Sequence, residues 1–201
     1  MDYQTKTYDL SNVVSFLKTD QQFGGLSNMA GKKFPLIVNG IRIDNTEILY
    51  QICRFPNNVE IQQIILNQKS PMGAKMKSKK YRKEYTREDF ELIKVDIMYW
   101  CLLVKLASNP ITFGRLLEKT GDKDIVEISK KDPFWGAKKD KDNERILIGQ
   151  NILGMLLMKL RTYYLENKST TKILEVKPLE ISNFLLLGNE ILELVNPILI
   201  K

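Results

Sequence analysis

No histidine occurs anywhere in this 201-residue chain. That absence removes imidazole general bases, Ser-His and Cys-His nucleophile pairs, and every histidine-containing metal site. Cysteine is nearly as scarce. Cys53 and Cys101 are the only two, both within apolar patterns of helical spacing. They are expected to be buried thiols in a reducing cytoplasm, not a disulfide, and they are too few for a zinc cluster. No apolar run approaches the roughly 20 residues that a membrane span needs. The opening MDYQTKTYDL carries two acids and no apolar core, so no signal peptide is expected there. A cytoplasmic protein without membrane contact is the resulting expectation. Chemistry must rest on carboxylates, lysines, tyrosines, amides and backbone groups. Magnesium on carboxylates stays open but has no dedicated motif. Neither a metal nor a cofactor is expected.

What is present fits a globular domain: 43% hydrophobic and 27% charged residues, enough to bury a substantial core. Lys and Arg outnumber Asp and Glu by 31 to 24, and the net charge of +7 suggests anionic partners. Much of the excess lies in KSPMGAKMKSKKYRKEYTRED. There Lys69, Lys75, Lys77, Lys79, Lys80, Arg82 and Lys83 crowd together with Tyr81 and Tyr85 interleaved. By itself the run favours a solvated helix end; the sharper alternative is a surface that tracks phosphates.

Periodicity predicts a mostly helical α+β fold in a single compact domain, with a small β element near residues 34–44. Leu36, Val38, Ile41 and Ile43 alternate around Asn39-Gly40, a hairpin signal. TEILYQICRF then takes helical spacing. Asn58 is placed to cap a helix through Leu66, and Ser70-Pro71 to start another. Thr86 to Asp89 resembles a capping box with Asp for the usual Glu. Phe90, Ile93, Ile97, Cys101 and Val104 predict a long helix to Ala107. Asn109-Pro110 opens the next helix and Gly121 ends it. Ile125 to Ile128 is extended, and Ile152, Leu153, Leu156, Leu157 and Leu160 make a strongly apolar helix.

One junction asks for more than packing. In KDPFWGAKKDKDNERILIGQNILGMLLMKLR, Asp132 precedes Trp135 by three residues, a charged loop follows, and Gly-x-Asn-x-Leu-Gly runs into the apolar helix. A core would want Trp135 but has little use for the carboxylate. A small-molecule site would want Asp132, Trp135 and Asn151 together.

Four separated motifs appear in order: LSNMA at 26–30, TEILYQICRF at 46–55, KTGDKDIVEISKKDPFWG at 119–136 and GQNILGMLLMKLR at 149–161. Together they resemble the NADAR (YbiA-like) family. Its pattern runs Leu-Ser-Asn, a Ser/Thr-x-Glu helix, Thr-Gly…Val-Glu, Asp-x-x-Trp-Gly and Gly-x-Asn-x-Leu-Gly. The resemblance spans roughly residues 15 to 165. It implies a domain over 1–166, leaving 167–201 as a C-terminal extension that packs on the domain or on a partner. It also implies an N-glycosidase acting on ribosyl-phosphate or ADP-ribosyl compounds. Carried over by position, Glu47 and Asp132 are the catalytic carboxylates. Ser27, Asn28, Arg54, Lys94, Glu127, Trp135, Gly149 and Asn151 are the substrate-binding positions, and Met98 completes a Lys-x-x-x-Met pattern with Lys94. Four departures stand out. Arg54 replaces the usual Lys, Ile48 a common His, and Phe90 a frequent Trp, while a charged insertion from Lys138 to Arg145 lengthens the loop after Trp-Gly. Arg54 cannot deprotonate near neutrality, so it suits phosphate binding better than amine chemistry.

The chemistry agrees with this class. Breaking a ribose C1′–N bond passes through an oxocarbenium-like state. It needs negative charge near C1′, a positioned water and a proton for the departing base. Glu47 is the candidate for activating water or stabilising the cation. Asp132 can hold a ribose hydroxyl or share acid–base work. Trp135 offers a face for a base, and the turn from Gly149 to Gly154 offers N–H groups to a phosphate. Each residue also has a plainer alternative. Glu47 can cap its own helix, Trp135 can be core, Asn151 can be an N-cap, and Glu127 can pair with Arg161 or Lys94. The activity that the resemblance implies is removal of ADP-ribose from guanine in nucleic acid, with a cognate ADP-ribosyltransferase toxin encoded nearby as the expected partner. The alternatives are cleavage of riboflavin-pathway intermediates, or an ADP-ribose- or NAD-binding module with little activity.

Overall fold

The structure is a computed structural model that describes residues 3–196; the end of the C-terminal extension, 197–201, lies outside the described residues. In chain order come strands β1 (Lys6–Asp9) and β2 (Val14–Phe16), hairpin strands β3 (Leu36–Val38) and β4 (Ile41–Ile43), and helix α1 (Thr46–Ile52). Helices α2 (Val59–Leu66), α3 (Pro71–Tyr85), α4 (Phe90–Ser108) and α5 (Pro110–Glu118) follow. Next are β5 (Ile125–Glu127), β6 (Lys138–Lys139), β7 (Ile146–Gly149) and helix α6 (Ile152–Asn167). Four short strands complete the series: β8 (Glu175–Val176), β9 (Leu185–Leu186), β10 (Asn189–Glu190) and β11 (Leu194–Val195). The fold is α+β with helix predominating. No helix among the described residues is long and apolar enough to cross a membrane.

The chain divides into two compact units. One joins the described residues up to Ser27 with Ile111–Lys168; the other joins Asn28–Pro110 with the described residues from Ser169.

In the first unit, β7 is the middle strand of an antiparallel sheet, with β1 on one edge and β6 on the other. β2 pairs in parallel with β5, Ser15 opposite Val126. Tyr8, Val126, Ala137 and Leu147 form one buried cluster, with Leu10, Val13 and Ile128 packed against it. The apolar face of α6 is buried through Leu153, Leu156, Leu157 and Leu160. The charged insertion is not all loop. Lys138 and Lys139 pair with Ile148 and Leu147, because main-chain pairing is indifferent to side chains that stay in solvent.

In the second unit, Asn39 and Gly40 take φ of 50° and 74° between β3 and β4. Both positive angles are what a two-residue turn of the primed type requires, and Asn-Gly meets them at little steric cost. Ser70 caps α3 by accepting from Gly73 N at 3.0 Å, with Pro71 at the first helical position. The long helix α4 buries Ile97, Cys101 and Val104 as its spacing predicts. Cys53 and Cys101 are buried free thiols. The capping box expected at Thr86–Asp89 does not form. Arg87 Nε and Nη2 take the Asp89 carboxylate at 2.6 and 3.0 Å, and Asp89 itself is the residue before α4, with no side-chain cap bond. A charge-assisted fork outcompetes a carboxylate–amide cap.

The segment after Ser169 is tied into this unit by polar bonds. Trp100 Nε1 donates to Lys177 O at 3.1 Å, and the Trp100 and Phe184 rings meet edge to face at 4.8 Å. Gln62, with no exposed surface, donates to Leu185 O at 3.0 Å and accepts from Leu187 N at 2.6 Å. A buried amide stays in place only when both its ends are satisfied, and here the C-terminal segment satisfies them.

Candidate functional site

Five of the ten candidate residues lie in the first unit with a sixth at its border. Asp132 Oδ1 accepts from Phe134 N and Trp135 N, both at 3.1 Å, so half of the carboxylate organises its own turn. The Asp132 N–H donates to Ser129 Oγ at 2.9 Å. Trp135 is half-buried, with its ring edge to face against Phe134 at 5.1 Å. It is therefore not a closed core residue and retains accessible surface.

Asn151 is completely buried and takes a left-handed conformation, φ 53°. It makes no side-chain cap bond to α6. Its Oδ1 accepts from Glu127 N at 3.0 Å, and its Nδ2 donates to Ile125 O at 2.8 Å. The amide thus clamps β5 and is spent within the fold. Losing it would strand the buried Ile125 carbonyl, at about 1–3 kcal/mol, and free the part-buried Glu127 N–H.

The phosphate cradle expected from Gly149 to Gly154 is corrected by the main chain. Gln150 N donates to Pro133 O (2.7 Å), Asn151 N to Gly136 O (3.2 Å), Ile152 N to Phe134 O (3.0 Å) and Leu153 N to Trp135 O (3.0 Å). The carbonyls of the Asp-Pro-Phe-Trp-Gly turn already occupy the donors of the helix start. Gly149 serves that closeness, since a Cβ there would run into Gly136 O. Glu127 sits at the end of β5 and is half-exposed. Arg161 Nη1 is directed to Thr120 Oγ1 and Lys123 O, both at 2.8 Å. Ser27, 4% exposed, follows the short 3-10 turn Gly24–Leu26, with its N–H bonded to Gly24 O at 3.2 Å.

The second unit gathers the others around α1. Asn45 caps α1 by accepting from Ile48 N at 3.0 Å, which frees Glu47 from that task. Glu47, 5% exposed, has its N–H on Asn28 O at 3.2 Å. Its Oε1 accepts from Gln51 Nε2, one helical turn on, at 2.9 Å. Gln51 Oε1 in turn accepts from Ser78 Oγ at 2.7 Å and Arg82 Nη2 at 3.1 Å. Because two donors fix the Gln51 oxygen, its nitrogen must face Glu47.

Arg54 places its Cζ 3.6 Å from the Phe90 ring centroid. Burial first, and then the nearby Arg82 charge, pull the Arg54 guanidinium down to about 10. It stays protonated near neutral pH. Arg54 Nε and Arg82 Nε are both buried and donate to nothing, and Asn28 Oδ1 is a buried acceptor that receives nothing. Lys94 lies on α4 and pairs with Glu91 at 2.5 Å.

Gln51, Ser78 and Arg82 join the site only through the tertiary structure. Gln51 lies in the TEILYQICRF motif, and Ser78 and Arg82 are four apart on α3; only the packing of α3 on α1 joins them. An open groove of about 480 Å³ lies beside this cluster, lined by Asn57, Asn58, Thr86, Arg87, Ser182 and Asn183 among others. None of the ten candidate residues lines it. Arg87, in its lining, donates its N–H to Arg54 O at 3.1 Å.

The chain is 32% identical over 173 residues to the riboflavin biosynthesis protein PYRR of Zea mays, covering 81% of this chain but 26% of that protein. It is 30% identical over 169 residues to the N-glycosidase Npun_R5314 of Nostoc punctiforme, covering 81% of this chain and 99% of that one. The solved structure of E. coli YbiA is similar with a TM-score of 0.64 at 27% identity, over 79% of this chain and 88% of that one. The chain thus spans about a quarter of the Zea mays relative and nearly the whole of the Nostoc one. The family model of the NADAR domain matches residues 15–164, and the chain belongs to that family.

Proposed function

We propose that this protein is an N-glycosidase that hydrolyses the bond between ribose C1′ and a base nitrogen in a phosphorylated substrate. The observation that carries the reading is the neighbourhood of Glu47. A buried carboxylate is held at one oxygen, and close by are two arginines whose Nε donors have no partner. An anion entering there would accept from donors that the fold leaves unused. In the reaction the C1′–N electron pair leaves with the base, water oxygen bonds to C1′, the water proton passes to a carboxylate, and the base nitrogen gains a proton. Glu47 stabilises the cationic C1′ or takes the water proton. Asp132, with Oδ1 committed to its own turn, is a separate candidate for acid–base work through Oδ2.

The finer reading is removal of ADP-ribose from guanine bases of nucleic acid, reversing the work of an ADP-ribosyltransferase. Supporting it, α3 carries Arg82 towards the cluster while exposing Lys77, Lys79, Lys80 and Lys83 to solvent. The name of the Zea mays relative supports a second reading, cleavage of an intermediate of riboflavin biosynthesis. A module that binds ADP-ribose without turnover is the third.

A salt series separates them. Cleavage of an ADP-ribosylated guanine oligonucleotide should weaken steeply with salt, with a log–log slope of roughly −0.9 per neutralised phosphate on duplex. Lys77→Ala, Lys79→Ala and Lys80→Ala together should flatten that slope and leave a mononucleotide substrate unaffected. An unchanged slope in the triple variant overturns the nucleic-acid reading. Release of a base from the riboflavin intermediate alone supports the second, and binding of ADP-ribose with no product from either substrate supports the third.

A further inference from the structure

The two ends of the Asn28 amide are treated differently. Nδ2 donates to Met98 Sδ at 3.0 Å, whereas Oδ1 is buried and accepts nothing. A thioether has lone pairs and no hydrogen, so a flipped amide would set oxygen against sulfur, acceptor against acceptor. The flip is therefore disfavoured. The main chain is held as well, since Asn28 O accepts from Glu47 N at 3.2 Å. Asn28 and Met98 are 5% and 3% exposed.

We infer that Met98 is a positioning residue that pins the Asn28 amide, so that Asn28 offers the substrate a carbonyl oxygen and recognises a hydrogen-bond donor. That donor is a sugar hydroxyl or a base amino group, not a phosphate or carbonyl oxygen. The inference rests on reading the Glu47 neighbourhood as the substrate site. It divides the work there: Arg54 and Arg82 meet the anionic part of the substrate, and Asn28 meets a neutral donor. A buried, unpaired acceptor is unfavourable in the free protein. A ligand with the matching donor removes that penalty on binding, and a ligand without it cannot.

The test compares wild type with Met98→Leu, a swap of similar volume that cores usually tolerate. Hydrogen exchange of the Asn28 side-chain amide, followed by NMR, reports the pinning directly; the wild-type amide protons should exchange slowly and those of the variant fast. On the ADP-ribosylated guanine oligonucleotide, Met98→Leu should raise KM about five- to tenfold, the worth of one aligned hydrogen bond. Its kcat should stay within about twofold, because the donor is bound alike in ground and transition states. Unchanged amide exchange together with unchanged KM makes Met98 a core residue and overturns the inference. If wild type cleaves no substrate, the reading of the site fails, and amide exchange alone decides the pinning. Fast exchange in the wild type overturns it without any variant.

Discussion

Arg54 sits over Phe90, with its Cζ 3.6 Å from the ring centroid. These are two of the positions at which the chain departs from the family pattern, and the fold brings them into contact. A planar guanidinium stacks on an aromatic face in a way that an ammonium on a flexible stem does not. Burial, and then the neighbouring Arg82 charge, disfavour the Arg54 cation here. The pair of cations is thus poised for an anion.

Arg54→Lys should weaken binding of phosphorylated ligands such as ADP-ribose by about tenfold, in line with a cation–π and hydrogen-bond loss of about 1–2 kcal/mol. Arg82→Ala should do more. It removes a cation and also releases the Gln51 oxygen, so turnover should fall along with affinity. Calorimetric titration with ADP-ribose checks the first effect and kcat the second. Equal ADP-ribose affinity in wild type and both variants would remove the anion role.

Glu47→Gln should abolish turnover with the fold intact. Gln keeps the size and helix propensity of Glu, and its carbonyl can still accept from Gln51 Nε2. Loss of the charge leaves the developing cation at C1′ unsupported. Melting within a few degrees of wild type, with no product release, is the expected pair of results. Wild-type release by the variant would end this assignment.

Asp132 and Trp135 should separate chemistry from packing. Asp132→Asn keeps an Oδ1 acceptor for Phe134 N and Trp135 N, so the melting temperature should hold while turnover falls. Trp135→Ala should weaken ligand binding. Because the ring is half-buried, its stability cost should stay below the ~3–5 kcal/mol of a fully buried aromatic. An Asp132→Asn variant that melts far earlier would make the carboxylate structural.

Lys105 predicts the pH dependence of stability. It is 1% exposed on α4, with Nζ 5.0 Å from the Phe34 ring centroid, and burial pulls its ammonium from 10.5 down to about 7. Between those values the unfolded chain holds the proton and the folded one does not. Stability from this group should therefore be full above about pH 10, fall as the pH drops, and level off below about 7. The slope in that window should reach at most about 1.4 kcal/mol per pH unit. Lys105→Met should flatten it. Urea unfolding of both proteins at pH 6, 7.5 and 9 measures this, and identical pH profiles would refute it.

Sequence alone determined the features set by short-range rules. The Asn39-Gly40 hairpin, the Ser70-Pro71 helix start and the long α4 follow from backbone conformation, capping and apolar spacing, each readable within a few residues. The ordered motifs carried the family for the same reason, since each is a local string. Tertiary structure decided what competes over distance. Thr86–Asp89 looked like a cap until Arg87 claimed the carboxylate. Gly149–Gly154 looked like a phosphate cradle until the carbonyls of 133–136 took its N–H groups. Asn151 was spent on β5, 24 residues or more away in sequence, and Gln51 gained its role from Ser78 and Arg82 on another helix. A polar group has only a few bonds to give, and which partner receives them depends on packing that no local pattern records.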